Sequence, residues 1–256
     1  MQPLGKATMI PTVSETLRPA PSRVQNRCLA ALSSNAFELI RPHLKETVLT
    51  SGDLLWESDR RHTQTFFPAS GLVSITLPMQ DGAAIEVGSV GSEGAAGLAS
   101  ITEISTRATV LIGGHFAQID STKLAQLAQQ DAELGEMLRH CRDWLYAQAQ
   151  RLAACNAVHA ADKRLCRWLV ACQERMRDGR IYATQETIGA LLGMRRTTVT
   201  LIAQTLHSGG LIDYARGKIV VRDPARLAEG ACECCAHFGP ARWPSTRLEA
   251  ARKSQF

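Results

Sequence analysis

The chain has 256 residues, 45% hydrophobic and 21% charged, with 29 basic against 24 acidic side chains and a formal net charge of +5. That composition suits a globular protein of one large or two smaller domains, and no apolar run nears the roughly 18–20 residues that cross a bilayer, which excludes a membrane-spanning protein. Eight cysteines in so long a chain, four of them in predicted helices, do not describe a small disulfide scaffold, so reduced thiols are expected.

Residues 1–25 hold Pro3, Pro11, Pro19 and Pro21 without periodicity and read as a flexible leader. They lack the apolar stretch of a secretory signal, so a cytoplasmic location is expected. Leu29, Leu32, Leu39, Ile40 and Leu44 have helical spacing. From Thr47 short apolar pieces alternate with turns: Val48-Leu49, Leu54–Trp56, Thr65–Phe67, Leu72–Leu77, Ile85–Val87, Ala108–Ile112 and His115–Ile119. Strands this short, cut by Ser51-Gly-Asp, Pro68-Ala-Ser-Gly, Gln80-Asp-Gly and Gly113-Gly114, predict a small all-β sandwich or barrel over 26–125. Gly88, Gly91 and Gly94 lack the Lys and Ser/Thr of a phosphate loop and read as a run of β-turns.

A long helix is predicted over 126–160. Leu134, Leu138, Cys141, Leu145, Gln148, Leu152 and Cys155 alternate steps of four and three, the 3.5-residue repeat of a coiled pair, and predict a dimer seam. The alternative is a single amphipathic helix lying on its own domain.

Residues 161–225 predict a winged helix-turn-helix. Thr184 fits an N-cap, Ile188 and Leu192 share a face, Gly193 permits a sharp turn, and Val199, Ile202 and Leu206 hold a second helix inward. Gly189 and Ala190 are small where the two helices cross. That leaves Arg195, Arg196, Thr197, Thr198 and Thr200 at the leading end and outer side of the second helix, with Thr184 and Gln185 opening the first; arginine and threonine suit base edges and phosphates. Two apolar runs flanking Ala215-Arg-Gly-Lys predict a hairpin wing that offers Arg216 and Lys218 to the backbone of DNA. Residues 160–222 carry 11 Lys and Arg against 5 Asp and Glu, while residues 1–159 carry 13 against 15, so the basic surplus falls on this segment.

On Gly193–Thr200 with Leu206–Leu211, Asn26–Leu32, Phe67–Ser74 and Gly88–Gly97, the sequence resembles the CRP/FNR family of bacterial transcription regulators over roughly residues 26–225. The resemblance implies an α+β chain: a jelly-roll-like β-roll of cyclic-nucleotide-binding type, a dimerisation helix, and a winged helix reading a pseudo-palindromic operator. Arg196 matches the family's central reading arginine, whereas Thr197 replaces a glutamate and Leu201 an arginine. Toward cyclic AMP the match fails: the ribose carboxylate falls on Ala96 or Gly97, Glu93 comes too early, and Arg107 precedes Ala108 rather than a hydroxyl residue. No cofactor is therefore expected, neither cyclic AMP nor an iron–sulfur cluster, since only Cys28 lies where the family's cluster cysteines sit.

The end, 226–256, reads as a disordered, reduced tail. Cys232, Cys234, Cys235 and His237 crowd into six residues without the second ligand pair that structural zinc usually takes, so no metal is expected. No nucleophile, base and orienting acid stand at recognisable spacing, so the chain is not read as an enzyme. Expected partners are double-stranded DNA, a second copy, RNA polymerase and a small-molecule or redox effector, with no membrane. The competing reading is a metal- or ligand-binding sensor that acts through protein contacts and keeps a vestigial DNA-binding domain.

Overall fold

The computed structural model describes residues 25–60, 62–98, 105–176 and 180–238. The predicted leader up to residue 24, the helix stop at Asp178-Gly179 and the tail beyond Phe238 lie outside them. Two short helices come first among the described residues, α1 (Arg27–Ala30) and α2 (Ser34–Ile40). Asn26 is fully buried; its Oδ1 accepts from the amides of Cys28 and Leu29, capping α1, while Nδ2 donates to Pro68 O and Gly94 O. One side chain thus fastens the first helix to two loops of the domain that follows.

Seven strands follow: β1 (Lys45–Leu49), β2 (Leu54–Trp56), β3 (Gln64–Pro68), β4 (Leu72–Pro78), β5 (Ala84–Val90), β6 (Arg107–Ile112) and β7 (Gly114–Asp120). They form two antiparallel sheets in the orders β1-β7-β3 and β2-β6-β4-β5. Trp56, Phe66, Val73, Ile75, Val90, Ala108, Val110 and Phe116 fill the space between them. Gly88 is not in a turn as expected: it lies within β5, and the turn comes later, at Gly91–Gly94.

The long helical stretch is two helices, α3 (Ser121–Gln130) and α4 (Ala132–Val158). Asp131, in an extended conformation, ends the first and caps the second by accepting from Leu134 N at 2.8 Å. The predicted dimer seam of α4 faces its own chain. Leu134, Leu138 and Cys141 pack with α1, α2 and α3, and Leu145 rests against the β-roll. Leu152 and Cys155 sit in a cluster with Cys232, Cys234 and Phe238. Gln148 replaces a neighbouring strand, its amide donating to Ser89 O (3.1 Å) and accepting from Ser89 N (3.4 Å), which satisfies the outer edge of β5. A heptad-like stripe reports one apolar face, and here the β-roll's own uncovered surface takes it. The first half of α4 exposes Glu136, Arg139, Arg142 and Asp143, and its second half exposes Tyr146, Ala147, Gln150, Ala153, Ala154, Ala157 and Val158.

The C-terminal part comprises α5 (Ala161–Gln173), β8 (Arg180–Tyr182), α6 (Gln185–Leu192), α7 (Arg196–Ser208), β9 (Ile212–Ala215), β10 (Lys218–Val221), α8 (Pro224–Glu229) and a 3₁₀ turn at Glu233–His237. The expectation of a free tail from 226 fails as far as Phe238: Leu227, Cys232, Cys234 and Phe238 are buried. They have apolar surface of α4 and α5 to cover, which a count of polar residues in the tail could not reveal.

Candidate nucleic-acid interface

The two helices of the helix-turn-helix are set by local chemistry. Thr184 Oγ1 accepts from Thr187 N at 3.0 Å and caps α6. Gly193 ends that helix at φ 60°, a left-handed conformation that a side chain would oppose. Gly189 is needed for a different reason: a Cβ there would lie 2.8 Å from Met194 O, so the turn folds back against α6 only over a bare backbone. Arg164 of α5 donates to Leu192 O and to Asn156 O, pinning the end of α6 to the end of α4.

Val199, Ala203 and Leu206 anchor α7 in a core shared with Leu165, Leu169, Ile188, Leu192, Ile212 and Ile219. Burying that stripe turns Arg195, Arg196 and Thr197 outward, with Leu201, Gln204 and Thr205 following along the same exposed side. Arg195 occupies the N-cap position without a side-chain capping bond. No capping side chain takes up the first amides of α7, and the helix dipole adds positive potential beside two arginines. Thr200 is half-buried; its hydroxyl lies 2.6 Å from Gln185 Oε1 and 2.9 Å from Arg196 O, joining the start of α6 to α7.

Strands β8, β10 and β9 form the wing sheet. Its tip turns through Arg216 (φ 49°) and Gly217 (φ 76°), two consecutive left-handed residues as a two-residue hairpin of this hand requires. Ala183 N donates to Gly217 O at 2.9 Å, which seats the wing tip beside the capped start of α6. Arg216 is exposed and Lys218 half-buried.

Residues 163–229 match the family model of the Crp-like helix-turn-helix domain. Among solved structures the chain is similar to FixK2 of Bradyrhizobium japonicum, with a TM-score of 0.64 and 18% identity over 74% of this chain and 98% of that one. It is also similar to a CRP/FNR-family transcriptional regulator of Eubacterium rectale (TM-score 0.62, 17% identity, 78% and 95% covered). A third is the c-di-GMP responsive global regulator CLP of Xanthomonas campestris (0.60, 17%, 74% and 99%). The chain thus carries a Crp-like helix-turn-helix domain and has the fold of CRP/FNR-family regulators. At these identities the structural likeness is one of fold, and no curated protein matches the sequence.

The predicted reading residues are brought together: Thr184, Gln185, Arg195, Arg196, Thr197, Thr198 and Thr200 lie around the α6–α7 crossing, with Arg216 and Lys218 at the wing tip. Exposed Gln204, and Tyr182, whose Cα pairs with that of Lys218, were missed by sequence reasoning; no motif marks either. Ala96, where the family's ribose carboxylate would fall, is fully buried and exchanges backbone hydrogen bonds with Phe66. Arg107 lies partly exposed and donates to both carboxylate oxygens of Glu57, at 2.8 and 2.7 Å.

Sequence reasoning also missed a charged core between the β-roll and α5. Arg175 donates through Nε to Glu93 Oε1 at 2.8 Å and through Nη1 to Ala171 O, while its Nη2 lies 2.7 Å from the same carboxylate oxygen as an ion-pair contact, with both charged side chains buried. Glu86 accepts from Ser74 Oγ at 2.6 Å; burial pushes its carboxyl up, against the opposing pull of Ser74 and of the charges on Arg167 and Arg175. Leu72 and Leu111 of the β-roll join the apolar cluster of the winged helix around these groups. No sequence pattern signalled this, because α5 buries Leu165 to Cys172 without a break, Arg167 included.

Proposed function

We propose that this chain regulates transcription as a homodimer whose two α7 helices enter successive major grooves of a pseudo-palindromic operator, about 34 Å apart. The observation that carries the reading is the exposed leading edge of α7. Arg195, Arg196 and Thr197 stand there with uncapped amides, and Arg216 flanks them on the wing. Arginine reads guanine bidentately, threonine bonds a phosphate or base, and exposed Leu201 suits a thymine methyl. The second copy docks on the outward face of α4. Ala147, Gln150, Ala154 and Ala157 follow steps of three and four along it, and their small side chains let two helices approach closely. The Arg107–Glu57 pair and the buried Ala96 favour an effector other than cyclic AMP.

Selection of duplexes from a random pool, followed by binding measured across a salt series, tests this reading. The selected sites are expected to be palindromic with half-sites one helical turn apart. Arg196→Ala is expected to cost about 1–3 kcal/mol and to relax base choice at one position of each half-site. A variant that bound every site like the parent would refute the docking. No selection at all would favour a sensor acting through protein contacts.

A further inference from the structure

Four ligand-type side chains converge where α4 passes into α5: Cys155, His159, Cys232 and Cys234. Cys155 and His159 stand four residues apart at the end of α4, one helical turn, while Cys232 and Cys234 arrive from the segment after α8. The three sulfurs and one ring nitrogen lie within 4.8 Å of one another, with Cys155 Sγ 3.6 Å from Cys232 Sγ and Cys234 Sγ 3.8 Å from His159 Nδ1. A tetrahedron with metal–sulfur arms of about 2.3 Å has sulfur–sulfur edges of about 3.8 Å, so these separations are those of donors arranged around one small ion.

We propose that Cys155, His159, Cys232 and Cys234 form a tetrahedral zinc site that fastens the segment after α8 to the junction of α4 and α5. Three further observations agree. His159 Nε2 lies 3.0 Å from Glu233 Oε1, and with Nε2 donating to that carboxylate the Nδ1 lone pair turns toward the sulfurs, the orientation that a metal-bound histidine takes from its outer partner. The three cysteines are buried at 0, 3 and 3% exposure, so their thiolates are shielded from solvent and from larger oxidants. Zinc with three thiolates carries one net negative charge, and the guanidiniums of Arg164 and Arg167 both interact electrostatically with Cys155. The sequence alone suggested no metal because the second ligand pair sits 77 residues before Cys232. Of the tail's own candidates, Cys235 and His237 stay outside the cluster.

The full chain, purified with its thiols reduced, is expected to hold about one zinc ion per chain. Loaded instead with cobalt(II), it is expected to show the intense visible absorption of a tetrahedral ion and a thiolate-to-metal charge-transfer band in the near ultraviolet. Cys155→Ser and Cys232→Ser should each lower metal affinity at least about tenfold, whereas Cys235→Ser should keep it. The cobalt spectrum of the unmutated chain decides even if a variant does not fold. A reduced chain that takes up neither metal, an octahedral cobalt spectrum, metal retained equally in Cys155→Ser, or a native mass two hydrogens lighter from a Cys155–Cys232 disulfide would each overturn the proposal.

Discussion

Helices α4 and α7 are both amphipathic, and both bury their apolar stripe within their own chain. They differ in what they leave outside. The free side of α7 carries Arg195, Arg196 and Thr197, while the free side of the second half of α4 carries Tyr146, Gln150, Val158 and a row of alanines. A charged, hydroxyl-bearing edge suits a polyanion that stays hydrated; a small, uncharged one suits the dry surface of another helix. A helix's partner is therefore read from the face left over after folding, and the buried stripe says only that the helix belongs to a core.

That contrast can be broken most forcefully from the buried side of α4. Leu138→Ala, at a residue 5% exposed, is expected to cost about 2–5 kcal/mol in urea unfolding and to leave the association state of the folded protein unchanged. Dissociation without loss of unfolding stability would return the stripe to a partner subunit. On the opposite face, Ala154→Glu places like charges across the proposed seam and should weaken the dimer about tenfold or more in sedimentation, with unfolding little altered. An unchanged dimer would mean the copies meet elsewhere. The smallest effect sharpens the picture of the wing: Lys218→Ala should weaken DNA binding evenly across sequences and flatten the salt dependence by about one unit per subunit. A loss confined to some sequences would make Lys218 a reader of bases.

The strands were legible because each is a short apolar piece bounded by turn residues, so Leu72–Leu77 and Ala108–Ile112 fall within β4 and β6. The helix-turn-helix was legible because its cap, turn and small crossing residue are local. Long-range choices were not. The 3.5-residue spacing in α4 is the same whether the surface opposite is another chain or β5 and α1. Charge counting reached the right segment on mixed grounds: Arg167 and Arg175 are buried and Arg222 pairs with Asp213, so part of the surplus never faces outward. Cys232 and Cys234 gave no sign of their neighbours, because Cys155 and His159 are far away in sequence and ordinary on a helix.

The buried Arg175–Glu93 pair limits how this chain can bend. Pulling the winged helix off the β-roll would part this pair and wet the apolar contacts that Leu72 and Leu111 make with the winged-helix core. The chain thus behaves as a single lever rather than as a head on a loose neck. In the proposed dimer, a stimulus would then alter the distance between two reading edges by rolling whole levers against each other.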